Sequence, residues 1–354
     1  MDVTNGPGKE AQSGGASPGA SAGQVDGAAS DLYDVTIIGA GPTGLFGAFY
    51  AGMRTMKTKI IDALEEPGGQ LSALYPEKYI YDAPGFPRIV AKDLVSQLLE
   101  QALQWNPALC LGERVLSLQQ GEDGHWILTT DKGRHHSRSV VIAAGVGAFS
   151  PNRIPVPGVE KFEGEGLFYF VKDKLQFQGK DLLIVGGGDS AVDWALNLFD
   201  VARSITLIHR RDEFRAHESS VNEMRSLPIE ILTPYEVRTI NGKGGIDSVV
   251  VYNNKTQEER ELKVDYVLAN LGFKADIGPI REWGLTLEKR GIVVNNRMET
   301  NLPGVYGAGD IVVEEVKMNL IANAYSQAAI AVNVAKHYID PKAGIFPGHS
   351  SEKM

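Results

Sequence analysis

Cysteine is almost absent from this chain: Cys110 stands alone among 354 residues. An intramolecular disulfide is therefore excluded, and with it any relay of electrons through a dithiol pair within one chain. A lone thiol fits a reducing compartment, so the cytoplasm is the expected location. Long hydrophobic runs are also missing, and no segment reads as a membrane span. The amino terminus carries neither a basic patch nor an apolar stretch, which reads as no secretory signal. Positive charge is in deficit too: 35 Lys and Arg face 44 Asp and Glu, a net charge of -9. A nucleic-acid binder usually needs a basic face, so that class is set aside. Residues 1–30 have few large apolar side chains and are rich in Gly, Ala and Ser. Such a segment cannot bury enough surface to offset its ordering entropy and is expected to be a disordered tail. What remains has a globular composition, 43% hydrophobic and 22% charged, at a length that suggests two domains.

Order is expected from Tyr33. Asp34-Val35-Thr36-Ile37-Ile38 is short, apolar and β-branched and ends in glycines, the pattern of a buried parallel strand. A helix from about Thr43 to Gly52 and a second strand, Lys57 to Ile61, complete a βαβ unit. Residues 112–144 hold alternating segments, a hairpin signal at Asp131-Lys132-Gly133 and an apolar strand from Ser139 to Ala143. A second βαβ unit opens at Asp181, with the strand Leu182–Val185, a helix from near Asp189 and the strand Ser204–Ile208. Another meander follows, with a turn at Asn241-Gly242 and strands near 248–252 and 262–268. The chain closes with a strand at Gly304–Tyr306, a glycine turn and a helix over Asn323–Tyr338. A strand–glycine turn–helix thus occurs twice, each time followed by a β-meander. The expectation is an α/β protein with two Rossmann-like nucleotide-binding domains of the three-layer ββα type.

The two glycine loops differ at the end of their second strands. Gly39-Ala40-Gly41-Pro42-Thr43-Gly44 matches G-x-G-x-x-G between strand and helix. Its glycines allow a tight turn, close approach of a pyrophosphate, and close helix–strand packing. Asp62 follows at the spacing of a carboxylate that bonds a ribose hydroxyl. The second loop is Gly186-Gly187-Gly188-Asp189-Ser190-Ala191, and its second strand ends in His209-Arg210-Arg211, with Arg215 one turn later. A carboxylate there would repel a 2′-phosphate, whereas guanidinium groups bind it. The first site therefore suits a free 2′-hydroxyl, as in FAD, and the second NADP(H). A third element, Gly307-Ala308-Gly309-Asp310, ends the last strand and places a short carboxylate for a ribityl hydroxyl. It makes the FAD domain discontinuous: 31–149 and 273–340, with the NADP(H) domain at 150–272 and a carboxyl-terminal extension at 341–354.

The tandem loops, Gly69-Gln70, the stretch His209–Ala216 (H-R-R-D-E-F-R-A) and Gly-Ala-Gly-Asp resemble the thioredoxin reductase family. The likeness runs from residue 31 to the end. That family carries a C-x-x-C pair shortly before the second loop, where this chain reads Tyr169-Phe170-Val171-Lys172-Asp173. The chain is accordingly similar to the cysteine-free branch, the thioredoxin-reductase-like ferredoxin–NADP(+) reductases. The resemblance implies FAD contacts from Thr43, Asp62, Gln70, Val115, Phe149, Asp310 and Ser351. It implies two rings stacked on the flavin, Tyr75 from its own subunit and His349 from a partner subunit, and hence a homodimer. It assigns no catalytic acid: ferredoxin exchanges single electrons with the flavin, and hydride passes at flavin N5. Lys92, Arg88 and Lys317 are the candidates for docking an acidic ferredoxin. Two rival readings stand beside this one: an NADPH-dependent reductase of quinones, free flavins or iron, and a non-catalytic FAD/NADP(H) redox sensor.

Overall fold

The computed structural model describes residues 32–289, 291–346 and 348. The expected amino-terminal tail, His349 and Ser351 lie outside them. No helix among the described residues is long and apolar enough to cross a membrane.

Leu32–Ile38 is the central strand of the first sheet, and its last four residues, Val35–Ile38, are buried. Burial on both faces is what a run of β-branched residues between two layers requires. It pairs in parallel with Thr58–Ile61 on one side and Arg134–Ile142 on the other. Arg134–Ile142 is long enough to serve two partners: its start joins the antiparallel meander of Val115–Gln120 and Trp126–Thr130, and its end pairs in parallel with Val305–Gly307. A strand from late in the chain thus returns to the sheet that the first one began.

Helices α1 (Pro42–Met53), α2 (Gln70–Ala73) and α3 (Ala91–Leu103) precede that meander. Pro42 opens α1 in the first turn, where its missing N–H costs nothing. Leu45, Ala48 and Ala51 of α1 lie in the same apolar cluster as Leu94, Val95 and Leu98 of α3. The meander covers the opposite face through a separate cluster that includes Leu118, Trp126 and Leu128.

The second lobe repeats the plan. Leu167–Phe168, Tyr266–Ala269, Asp181–Val185, Ser204–Ile208 and Glu230–Leu232 form a parallel sheet in that order. Helices α4 (Asp189–Leu198) and α5 (Glu218–Ser226) cover one face, and a three-stranded meander, Tyr235–Asn241, Ser248–Asn253 and Glu259–Lys263, the other. The strand expected over 262–268 is in fact two. Glu259–Lys263 ends the meander, the chain turns at Val264-Asp265, and Tyr266–Ala269 enters the parallel sheet. Asp265 marks the change: its carboxylate accepts the Asp181 N–H at 2.8 Å and an Arg203 N–H at 3.1 Å.

The chain passes between the lobes twice, and the two crossings pair. Ala148–Pro151 runs antiparallel to Phe273–Asp276. Phe170 stacks on Phe273 at 5.4 Å between ring centres, with the planes 11° apart. An aromatic clasp therefore occupies the stretch where the resembling family keeps its cysteines. A second tie joins Lys78 of the first lobe to Asp193 on α4 at 2.8 Å. The last helix among the described residues, α6 (Ile321–Ile339), lies along α1 and buries Ala324, Ala328, Ala331 and Ala335 at helical spacing.

Candidate functional site

A cleft of about 570 Å³ opens beyond the carboxyl ends of the first sheet's parallel strands. Its volume is that of a small-molecule or cofactor site, and its position is the crevice where open α/β sheets bind nucleotides. Gly39, Gly41, Thr43 and Asp62 line it from the first βαβ unit. Gln70 and Tyr75, Val115, and Asp310 line it from three other parts of the chain.

The glycines of the first loop divide into two kinds. Gly39 has φ +112°, and a Cβ there would lie 2.3 Å from the Ala143 carbonyl oxygen. At Gly44 a Cβ would lie 1.9 Å from the Gly39 oxygen. Both are needed for the loop to close on itself. Gly41 is different: its backbone is extended (φ -72°, ψ -179°), and its Cβ would meet only the Gly69 Cα, at 3.9 Å. The protein leaves that space open on the wall of the cleft, at the amino terminus of α1. A helix start that offers N–H groups across an open cradle suits a pyrophosphate. The residues present thus fit FAD.

Asp62 is fixed on all sides. Its carboxylate accepts the Ala40 N–H at 2.5 Å and the Leu64 N–H at 2.8 Å, while its own backbone bonds Cys110 and Glu113 at 2.9 Å each. Burial pushes this carboxyl above its ordinary value, against the pull of those two N–H groups. Behind it, the buried Glu113 carboxylate takes the Thr130 hydroxyl at 2.5 Å and meets the His135 ring at 2.7 Å.

Thr43 and Asp310 are brought together across the chain. A Cβ at Gly309 (φ +80°) would lie 2.6 Å from Thr43 Oγ1, so only glycine lets the last turn sit against α1. That turn is held by three residues that carry no motif. Gln327 accepts the Gly309 N–H at 2.8 Å, Lys317 donates to the Gly309 carbonyl at 2.7 Å, and Gln327 donates to Glu314 at 2.6 Å. Lys317, one of the candidate docking charges, is half-buried in this turn. Lys92 is paired with Glu77 at 2.8 Å, and Arg88 lies over the Tyr79 ring. α6 begins at Ile321, and Asp82 accepts the Ile321 N–H at 2.7 Å at the rim of the cleft.

Tyr75 packs into the apolar clusters of both lobes. Burial, then the carboxylates Asp310 and Asp82, push its phenol up to about 12, so it stays neutral at physiological pH. Phe149 falls in the inter-lobe ribbon, opposite Ala275.

The second loop follows the same division. Gly186 has φ +153°, and a Cβ there would lie 2.4 Å from the Asn270 carbonyl oxygen. Gly188 is extended (φ -95°, ψ 179°), and its Cβ would meet only the Arg215 oxygen, at 3.9 Å. Ala191 is fully buried, Ser190 is exposed, and the Asp189 carboxylate accepts the His217 N–H at 3.1 Å. Arg215 is held to the loop through its own N–H, which donates to Gly187 at 2.7 Å. Arg210, Arg211 and Arg215 are exposed beside it. His209 plays another part. A Cβ at Gly187 would lie 2.3 Å from its ring, and its Nε2 reaches the Glu213 carbonyl at 3.2 Å. Burial pushes this imidazole below its ordinary value, with the Glu213 bond opposing and the three arginines adding to the shift. It props the loop from beside Gly187. Asn270, which no motif announced, places a buried Oδ1 without a hydrogen-bond partner at the end of Tyr266–Ala269.

The chain matches the pyridine nucleotide-disulphide oxidoreductase family over residues 33–328. It is 53% identical over 329 residues to a ferredoxin–NADP reductase of Thermus thermophilus, covering 92% of this chain and 98% of that protein. A ferredoxin–NADP reductase of Halalkalibacterium halodurans is 51% identical over 322 residues, covering 91% of this chain and 98% of its own. Among solved structures, the thioredoxin reductase of Lactococcus lactis superposes with a TM-score of 0.73 at 28% identity, covering 87% of this chain and 99% of that one. The thioredoxin reductase of T. acidophilum gives 0.75 at 26%, covering 88% and 99%. Likeness of this extent, over a fold built on two glycine loops, makes the chain a member of the pyridine nucleotide-disulphide oxidoreductase family, one whose single cysteine leaves it without an internal disulphide.

Proposed function

We propose that this protein is a ferredoxin–NADP(+) reductase, holding FAD in the first cleft and NADP(H) on the second glycine loop. The observation that carries the reading is the pair of ligand-facing glycines, Gly41 and Gly188, each followed by a ribose-end residue of opposite charge, Asp62 and Arg210-Arg211. FAD belongs to Gly41, Thr43, Asp62, Gln70, Tyr75 and Asp310; NADP(H) belongs to Gly188, Arg210, Arg211 and Arg215. When bound, the flavin supplies what no side chain here can, the exchange of electrons one at a time with one partner and in pairs with the other. The chain's own residues bind and orient. Asp62 favours a free 2′-hydroxyl, the α1 amino terminus takes negative charge, and the neutral Tyr75 offers an apolar ring wall. Domain limits of 31–149 with 273–340 and 150–272, a homodimer with His349 of one subunit over the flavin of the other, and a cytoplasmic location complete the proposal.

Steady-state assays of the purified protein test it. NADPH oxidation is expected with ferredoxin as acceptor and none with thioredoxin, because no dithiol is present. Faster turnover with quinones than with ferredoxin would transfer the assignment to a diaphorase. Arg210→Ala with Arg211→Ala is expected to lower kcat/KM for NADPH about 10- to 100-fold, the loss of one or two charge-assisted hydrogen bonds, with NADH unaffected. An equal fall for both coenzymes would count against a 2′-phosphate site.

A further inference from the structure

The two arginines sit on an exposed turn, where long side chains and a mobile backbone would dilute their grip on a phosphate. That turn is braced from outside the nucleotide-binding sheet. Asn254 Nδ2 donates to the Arg210 carbonyl oxygen at 2.9 Å and to Glu236 Oε1 at 2.9 Å. We propose that Asn254 is a positioning residue for NADP(H): it fixes the backbone at Arg210 so that the Arg210-Arg211 pair is presented to the 2′-phosphate. The inference rests on the cationic-turn reading given above.

The brace is rigid at both ends. Asn254 lies in the turn that joins the meander strands Ser248–Asn253 and Glu259–Lys263. Asn253 Oδ1 closes that turn, accepting the Lys255 N–H at 2.9 Å and the Thr256 N–H at 3.0 Å. The Asn254 N–H donates to the Pro234 carbonyl at 3.0 Å, tying the turn to the start of the strand Tyr235–Asn241. On the other side, the residue before Arg210 is pinned through both backbone groups: His209 N–H to Leu232 at 3.1 Å, and Tyr235 N–H to the His209 carbonyl at 2.9 Å. The sheet thus holds residue 209, and Asn254 extends that hold by one residue into the turn. Lys255 adds an exposed pair with Asp212 at 2.6 Å, a pair of small expected effect. An amide suits this role better than a charge. It donates to a carbonyl and a carboxylate at once, and it adds no negative charge near a bound phosphate.

The test is a coenzyme-specific KM measurement on flavin-loaded protein. Asn254→Ala is expected to raise KM for NADPH about five- to tenfold, the effect of one lost hydrogen bond. KM for NADH, kcat and the flavin spectrum are expected to stay as in the parent. Asn254→Ser, whose hydroxyl is too short to reach Arg210, is expected to give the same split, so poor folding of either variant leaves the other to decide. In an Arg210→Ala, Arg211→Ala background, Asn254→Ala is expected to add nothing to KM for NADPH. An unchanged KM for NADPH, an equal rise for NADH, or full additivity in the arginine-free background overturns the proposal. If removing the arginines leaves KM for NADPH unchanged, the cationic-turn reading falls and takes this one with it.

Discussion

Gly41→Val is expected to give a folded protein without colour. The backbone at Gly41 is extended, so a β-branched residue adopts it without strain, and its Cβ meets no protein atom closer than 3.9 Å. Stability measured by thermal unfolding of the flavin-free forms is therefore expected to match the parent's. The added side chain instead fills the open wall of the cleft at the start of α1, where the proposed site would take the pyrophosphate. Overpacking of a close contact costs about 1–3 kcal/mol, so FAD affinity is expected to fall about 10- to 100-fold, read as lost absorbance after gel filtration. Gly44→Ala is the contrasting control. Its Cβ would lie 1.9 Å from the Gly39 oxygen, so it is expected to lose stability along with flavin. A yellow Gly41→Val protein at full flavin occupancy would mean that the cleft holds its ligand elsewhere.

Gly188→Val is the second large effect, and it separates the two sites. The backbone there is again extended, and the nearest protein atom to the new Cβ is the Arg215 oxygen at 3.9 Å. The variant is expected to stay yellow while kcat/KM falls about 10- to 100-fold with NADPH and NADH alike, because both coenzymes present the same pyrophosphate to the loop. Removing Arg210 and Arg211 is expected to harm NADPH alone. The two kinds of variant thus read different parts of one ligand. A Gly188→Val enzyme with parental kinetics for both coenzymes would show that the second loop is not where the nucleotide binds.

The parts of this site that are local in sequence were legible in it. A glycine loop, its strand and its ribose-end residue fall within one βαβ unit, so Gly39 to Asp62 and Gly186 to Arg215 announce themselves. The supports were not legible, because they join residues far apart. Asp82 accepts from Ile321 across 239 positions, Lys78 meets Asp193 across 115, and Asn254 reaches Arg210 across 44. No local pattern encodes such pairs. Helix α5 buries only Val221 and Met224, too little apolar surface to show a period. The run over 262–268 hides a boundary for the opposite reason: apolar residues on both sides of Asp265 read as one strand until the two sheets claim them separately. His209 shows a further limit. Its place beside two arginines groups it with the phosphate-binding residues, and only its packing over Gly187 shows a support for the loop.

The ribbon of Ala148–Pro151 and Phe273–Asp276 has an architectural consequence. Because the outgoing and returning strands are hydrogen-bonded to each other, everything between them enters and leaves the parent fold at a single point. The intervening stretch is a cassette with its two ends already stapled. Replacing that segment by a relative's, joined at both strands of the ribbon, is expected to leave the strand Val305–Gly307 in its place beside Arg134–Ile142.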